Sequence, residues 1–349
     1  MKSSSLTTYF PRQVLLGLIA GIPLTLLFLW LVGVGSATPQ KPHNVPVAAV
    51  GPGPAVSQLA AGLQRGGFHV IATPTEAQAV GLVQHRNADA IINLDTRQIQ
   101  TAQAASPLTA LALPQALAHS PVHFQTVDIK PLAPGDPTGL GLMFISLASV
   151  LGGIPAGVAF ALLMKNRRPA SLADAGRRVG LIAVFSGLQG LLIAAVADGI
   201  LGYGGTQMLT VWGWSTLLSA ASMATTVAFI AAFGIAGALV SAIPILFFGV
   251  PSAPLPSPWN WQPDAYRILG PFDPFGAATN GNINGIFFPQ ASQAQNLWVL
   301  LGLWIGVPIL ILLTLGWRGQ RAGRLTAAGP SRAGDMVAVH APANPGATV

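Results

Sequence analysis

Lys165-Asn166-Arg167-Arg168-Pro169-Ala170-Ser171-Leu172-Ala173-Asp174-Ala175-Gly176-Arg177-Arg178 carries four arginines and a lysine between two long apolar runs, Gly139 to Met164 and Val179 to Ala197. Each run is close to the roughly 20 residues that a helix needs to cross a bilayer. Lys and Arg are retained on the cytoplasmic side of membrane spans, so 165–178 reads as an inner loop. The other segments are oriented by counting crossings outward from it.

Composition supports that frame. Of 349 residues 52% are hydrophobic and only 8% charged, with a mean hydropathy of +0.59; this is too apolar for a soluble chain of such length and predicts an α-helical polytopic membrane protein. The net charge of +7 does not read as a nucleic-acid footprint. Its cations gather at Lys2 and Arg12, at 165–178, and at Arg318, Arg321, Arg324 and Arg332, the pattern of orientation and anionic lipid. The absence of cysteine excludes disulfides, thiolate metal sites and cysteine nucleophiles.

In chain order, 1–13 reads as a cytoplasmic segment and 14–35 as a first span. Gly35-Ser36-Ala37 offers the rival reading of a cleaved signal peptide, but the run exceeds the roughly 7–15 residues of a signal core, which favours a retained anchor. Residues 38–137 have the composition of a small α/β domain on the outer side. Val45–Val50, His69–Ala72 and Ala88–Leu94 read as strands, and Val56–Leu63 and Thr75–His85 as helices, giving a sheet at least partly parallel. Thr75 is placed to cap the second helix with Glu76, the only glutamate, in its first turn. An Ala- and Gln-rich stretch compatible with helix follows to Ala118, then a returning strand, Val122–Ile129. Pro131, Gly135, Asp136 and Pro137 form a stiff junction into the second span, 139–164, where Gly153 and Gly157 lie four apart, a spacing that lets helices approach closely.

Beyond the inner loop, 179–250 is read as the third, fourth and fifth spans, the last two divided near Phe233 and Gly234. Residues 251–296, rich in proline and carrying Trp259 and Trp261, read as an outer segment lying on or dipping into the bilayer interface. The last span is 297–317, and 318–349 is a cytoplasmic, disordered tail. The expectation is therefore six transmembrane helices with both termini inside.

Candidate chemistry is sparse. Gly51 and Gly53 suggest a dinucleotide loop, but Val56 occupies the third glycine position and Pro52 and Pro54 remove backbone donors, so a turn is favoured and no cofactor is expected. His119 and His123 are four apart with Pro121 between them and no carboxylate nearby, which favours surface or packing histidines over a metal site. Asp198 is the one acid near a span; a transport role is weighed against a solvated helix end, and the latter is favoured. There is no GxxxxGK[ST] loop and no nucleophile with a recognisable base, so no enzymatic activity is expected of this chain.

Three local features carry a resemblance: the Thr75-Glu76-Ala77-Gln78-Ala79 helix with the Ala88–Ile92 strand, the junction from Pro131 to Gly139, and the run Gly234-Ile235-Ala236-Gly237 followed by Phe248–Ser252 and Leu269–Phe272. Together with the order of segments, they resemble the permeases of the ABC type-2 exporter superfamily, most closely the phage infection protein (Pip/YhgE-like) group. The chain departs from that group in its short external domain, so phage reception is not carried over. It also departs in the brief stretch before its first span. The resemblance implies a permease subunit in a bacterial cell membrane, acting as a homodimer or with a related permease subunit among membrane lipids. It further implies a separate cytosolic ABC ATPase docked on the inner loop through Arg167, Arg168, Leu172, Asp174, Arg177 and Arg178, with Ser171–Asp174 as a capped helical turn. An anionic-lipid anchor is the plainer reading of those arginines. Gly153, Gly157, Gly234 and Gly237 are the expected helix-packing positions. An amphipathic or lipid-like substrate fits the polarity. The rival reading is a non-transporting envelope protein whose external domain binds a partner, peptide or lipid.

Overall fold

The computed structural model describes residues 23, 25–27, 29–31 and 40–327, apart from 119, 165 and 256. The expected N-terminal segment, most of the first span, His119 and the tail beyond 327 lie outside the described residues; the described part of the first span is helical.

Alternating and β-branched residues build the sheet of the N-terminal α/β domain. Strand β1 (Val45–Val50) pairs in parallel with β2 (Phe68–Thr73) and β3 (Ala90–Asn93); β3 pairs antiparallel with β4 (Gln98–Thr101), and β4 in parallel with β5 (Gln125–Asp128), in the order β2-β1-β3-β4-β5. The hairpin to β4 is set by Asn93, whose Oδ1 accepts from the backbone N–H groups of Asp95 and Thr96, both at 3.1 Å. Helices α1 (Gly53–Gln64), α2 (Glu76–Gln84) and α3 (Pro107–Leu117) cover the sheet. Thr75 caps α2 as expected, accepting from Gln78 N. Glu76 does more than favour the helix dipole: its carboxylate accepts from Asn93 and Gln100, tying α2 to the sheet.

The period of two along β1 divides the domain into two faces. Val45 and Val47 pack with Leu63, Phe68 and Leu113, whereas Ala48 and Val50 join Ala79 and Val83 of α2. This second cluster does not end at the domain. It runs on into Leu142, Ile145, Ala194, Val211 and Ile283 of the helical bundle, so the domain is fused to the bundle through its α2 face.

Four helices among the described residues are long and apolar enough to cross a membrane: α4 (Leu140–Leu163), α5 (Leu172–Leu201), α6 (Thr206–Phe233) and α10 (Ala294–Thr326). Helix α6 is central, packed by the other three. The GxxxG spacing of α4 works as expected: a Cβ at Gly153 would fall 2.9 Å from Ser219 O, and one at Gly157 would fall 2.9 Å from Thr226 Cβ, so only glycine permits this crossing of α4 over α6.

Three boundaries differ from the sequence expectation. The third span begins at Leu172, so Arg177 and Arg178 belong to its first two turns and not to a loop; Ser171 starts that helix by accepting from Asp174 N. The 207–250 block is one full-length helix, α6, followed by the shorter α7 (Ala236–Phe248), which has seven α-helical and then six π-helical residues. The break between them is at Gly234, as expected, where φ +73° and ψ −161° favour glycine. Gly234→Val is expected to cost about 1–3 kcal/mol, read as an earlier thermal unfolding midpoint in detergent.

The third difference is the largest. Residues 251–296 are not a plain connection but are built into helices packed on protein. They contain α8 (Asp264–Leu269) and α9 (Pro274–Phe287), ten of whose fourteen residues are buried. Trp261 belongs to the α/β core, edge-on to Phe68 with centroids 6.1 Å apart, and Trp259 Nε1 donates to Ser252 O at 2.9 Å. The tryptophans fasten this segment to protein. From there the chain returns to mid-bundle, where α9 starts. Phe275 and Ile245 pack with Val150 and Leu218, which lie midway along α4 and α6. Gly249, just after α7, is pressed against Asp273 and Phe275, so α7 ends and α9 begins at the same depth. Asp273 caps α9, its Oδ1 accepting from Phe275 N at 2.9 Å and Gly276 N at 3.4 Å.

Candidate functional site

A polar cluster lies where the α/β domain meets α9. Arg86 directly follows the second-helix turn in the left-handed region, φ +59°, which turns its side chain out of the domain. Its Nη1 donates to Oδ1 of Asn280 and of Asn284, both at 2.8 Å. These asparagines are four apart, and so share one face of α9. The guanidinium also lies 5.5 Å from the centre of the Phe288 ring, which Lys130 Nζ approaches at 5.8 Å. Behind Arg86, Asp89 is buried, and its Oδ2 accepts from Thr109 Oγ1 at 3.3 Å. Thr109 in turn accepts from Ser106 Oγ at 2.6 Å and from Trp261 Nε1 at 3.1 Å. On the far side Asn280 donates to Asn296 Oδ1 at 3.2 Å and Asn284 to Ser292 O at 3.3 Å. Two hydrogen-bonded runs therefore meet here, Asp89 with Thr109, Ser106 and Trp261 on the domain side and Arg86 with the asparagines of α9 and the start of α10 on the other, and the opposite charges of Arg86 and Asp89 face each other between them. Together they line a cavity of about 270 Å³ whose wall includes His85, Arg86, Asp89, Trp259, Asn280 and Asn284.

Burial drives the electrostatics here. It pushes the Asp89 carboxyl up to about 6, against the pull of Arg86 and the Thr109 hydrogen bond. The same burial lowers the Arg86 guanidinium, which Asp89 partly offsets. Between about pH 4 and pH 6 the folded protein holds a proton on Asp89 that the unfolded chain releases. Linkage then makes this contribution to stability fall as pH rises through that window. Asp89→Asn is expected to flatten that slope, measured as the unfolding midpoint against pH from 4 to 7.

At the opposite, basic end, the sequence-predicted residues divide into two kinds. Arg178 is almost fully buried. Its Nη1 donates to Arg167 O and its Nη2 to Asn166 O, both at 2.7 Å, and Nη2 pairs with Asp174 at 3.1 Å. Asp174 also accepts from Ala170 N at 3.0 Å. Arg178 is thus the interior brace of the turn, correcting the expectation that it belongs to a docking surface, while its partner Asp174 stays partly exposed. Arg168 Nε donates to Ala231 O at 3.3 Å, capping the end of α6. Arg167, Leu172 and Arg177 are exposed. The turn is seated on α10 by glycine: a Cβ at Gly316 would meet Ser171 O at 2.6 Å, and one at Gly319 would meet Pro169 O at 2.9 Å.

The remaining predicted residues are scattered. Pro131 and Pro137 are exposed on the junction; a Cβ at Gly135 would fall 2.5 Å from Leu201 O. Asp136 is buried, accepting from Gly141 N at 3.0 Å and from Tyr203 Oη at 3.1 Å. Burial, then the neighbouring carboxylate, raises the Tyr203 phenol. Gly237 packs against the Phe229 backbone, where α7 folds back closely on the end of α6. Asp198 is exposed at the last turn of α5. His43, His69, His85 and His123 are exposed. Gly51 is a turn residue with φ +143°, and Pro52 precedes α1.

Sequence reasoning missed Arg86, Asp89, Asp273, Asn280 and Asn284. For Asp273 a signal existed, since Asp followed by Pro274 is a capping residue before proline at the first helical position. No family model matches the chain, and neither does any curated protein or solved structure.

Proposed function

We propose that this chain is the membrane permease subunit of an ABC type-2-like exporter in a bacterial cell membrane, moving an amphipathic or lipid-like molecule with a separate cytosolic ATPase. The observation that carries this reading is the break at mid-bundle, where α7 stops, the chain leaves for the α/β domain, and α9 starts again beside Gly249. Interrupted backbone at membrane depth is stable only when protein or a water-lined path surrounds it, and transporters place their substrate routes at such breaks. An anchor needs only continuous helices.

In this reading the chain crosses the membrane six times, with both termini in the cytoplasm and the α/β domain outside. The first span and α7 with its extension supply the two crossings beyond the four long helices. Helix α9 then dips back from the outer side. The interior it faces is polar: Ser146, Ser149, Ser215, Ser219, Ser222 and Asn282 are all buried. Ser215 Oγ and Asn282 Oδ1 have no hydrogen-bond partner among the described residues, and such atoms favour hydration when a path opens. The domain, clamped to α9 by Arg86, moves with it. Two copies complete the route, each bringing its own inner turn.

The chain has no cysteine, so single cysteines report without background. Cysteines at Thr279 and Asn282 are expected to react with a water-soluble maleimide in energised membranes, while Leu151 and Leu188 replaced in the same way stay unlabelled. Protection of both α9 positions under every nucleotide condition, in folded protein, would overturn the transport reading.

A further inference from the structure

We infer that the α/β domain has a binding groove of its own for a single-chain anionic amphiphile, separate from the polar cavity at the bundle. The groove has a volume of about 710 Å³, within the roughly 300–1,000 Å³ of small-molecule sites. Helix α1 forms one wall with Ala55, Gln58 and Gly62; the end of α3 and the segment to Phe124 form the other, and Phe68 and Leu94 also line it. Its lining is mainly hydrocarbon, with Gln58 and Ser120 as the uncharged polar members. Arg65 is the one charged side chain lining it. That arginine is exposed and takes part in neither ion pair formed among the described residues.

An apolar trough with one cation selects a ligand with one long hydrocarbon tail and one anionic head. A neutral oil would leave Arg65 unused, and a cationic amphiphile would meet it as a like charge. A two-sided polar peptide would bring backbone groups against a wall with few partners for them. Along α1, only Val56 and Leu63 of twelve residues are buried, so Ala55, Gln58 and Gly62 are left open along the groove wall, while Leu59 and Leu63 form its floor against the core. Gly62 lines the groove and a side chain added there meets nothing within 4 Å at its first carbon, so the position accepts a larger residue. The binding does not depend on the transport reading; that the bound amphiphile is the exported molecule rests on it.

The test uses the full chain in phosphatidylcholine nanodiscs with a palmitate analogue bearing a mid-chain diazirine and a terminal alkyne. Photo-adducts are mapped by peptide mass spectrometry. Adducts are expected on Leu59–Leu63 and Ala116–Phe124, competed by palmitate and at least tenfold less by a trimethylammonium amphiphile of equal chain length. Gly62→Phe fills the groove on a helix that gains propensity by losing glycine, so it is expected to fold normally and to lose adducts tenfold or more. Arg65→Glu is expected to reverse the head-group preference. Adducts confined to the lipid-facing sides of α4 and α5, or unchanged by Gly62→Phe, would overturn the groove. Equal competition by the cationic amphiphile would overturn its anionic class. Self-cross-linking through the groove without added lipid would assign it to a second copy instead. Groove adducts that persist in a protein with no transport would sink the exporter reading alone.

Discussion

Arg178→Met is expected to loosen the inner turn, costing about 1–3 kcal/mol, because the hydrogen bonds of a buried guanidinium are lost at once. The arginine closes the turn from within: it holds the carbonyls of Asn166 and Arg167 and the carboxylate of Asp174 at once. Methionine fills much of the volume but offers no donor, so two carbonyls and a carboxylate lose their partners together. Lysine restores charge without the planar fork and is expected to rescue only in part. The readout is tryptic cleavage after Arg167 in inside-out membrane vesicles, which should become rapid in Arg178→Met while α4 and α6 stay protected. Arg177→Ala, one position away and exposed, should leave the turn resistant. Equal protection of Arg178→Met and the unaltered protein would mean that the brace is not what orders the turn.

Gly157→Leu is expected to force α4 away from α6, costing about 1–3 kcal/mol by overpacking and more if the helices separate. The first added carbon already falls 2.9 Å from Thr226 Cβ and 3.1 Å from Met223 O. Neither neighbour is the flexible end of a long side chain. Gly176→Leu is the control, since a Cβ there meets nothing within 4 Å. The pair should differ in detergent melting temperature and in the yield of folded protein, Gly157→Leu low and Gly176→Leu unchanged.

What could be read from the sequence follows the range of each interaction. The strand Val45–Val50, the cap at Thr75, the capped start at Ser171 and the glycine pair of α4 are local patterns, and the structure shows each where it was expected. The contact of Arg86 with Asn280 joins residues 194 positions apart, and no local pattern marks either as a partner of the other. Segment 251–296 was legible only in part, for a physical reason. Its prolines and tryptophans are the composition of a bilayer interface, but Trp261 inserts into the α/β core instead. Arg178 was misread because charge alone gives orientation, while burial decides whether a cation faces a partner or holds its own loop together.

That distinction leaves Leu172, 43% exposed at the start of α5, as the residue to test for the proposed ATPase contact. The deciding measurement is affinity purification of the chain from native membranes in mild detergent, with cross-linking, for the unaltered protein and for Leu172→Asp. The exporter account predicts that a soluble ATPase co-purifies with the former and is lost from the latter, with α5 and its Arg178 brace intact by proteolysis. An intact protein that brings no ATPase under cross-linking would contradict it, and would leave the α/β domain as the working part of an anchored binding protein.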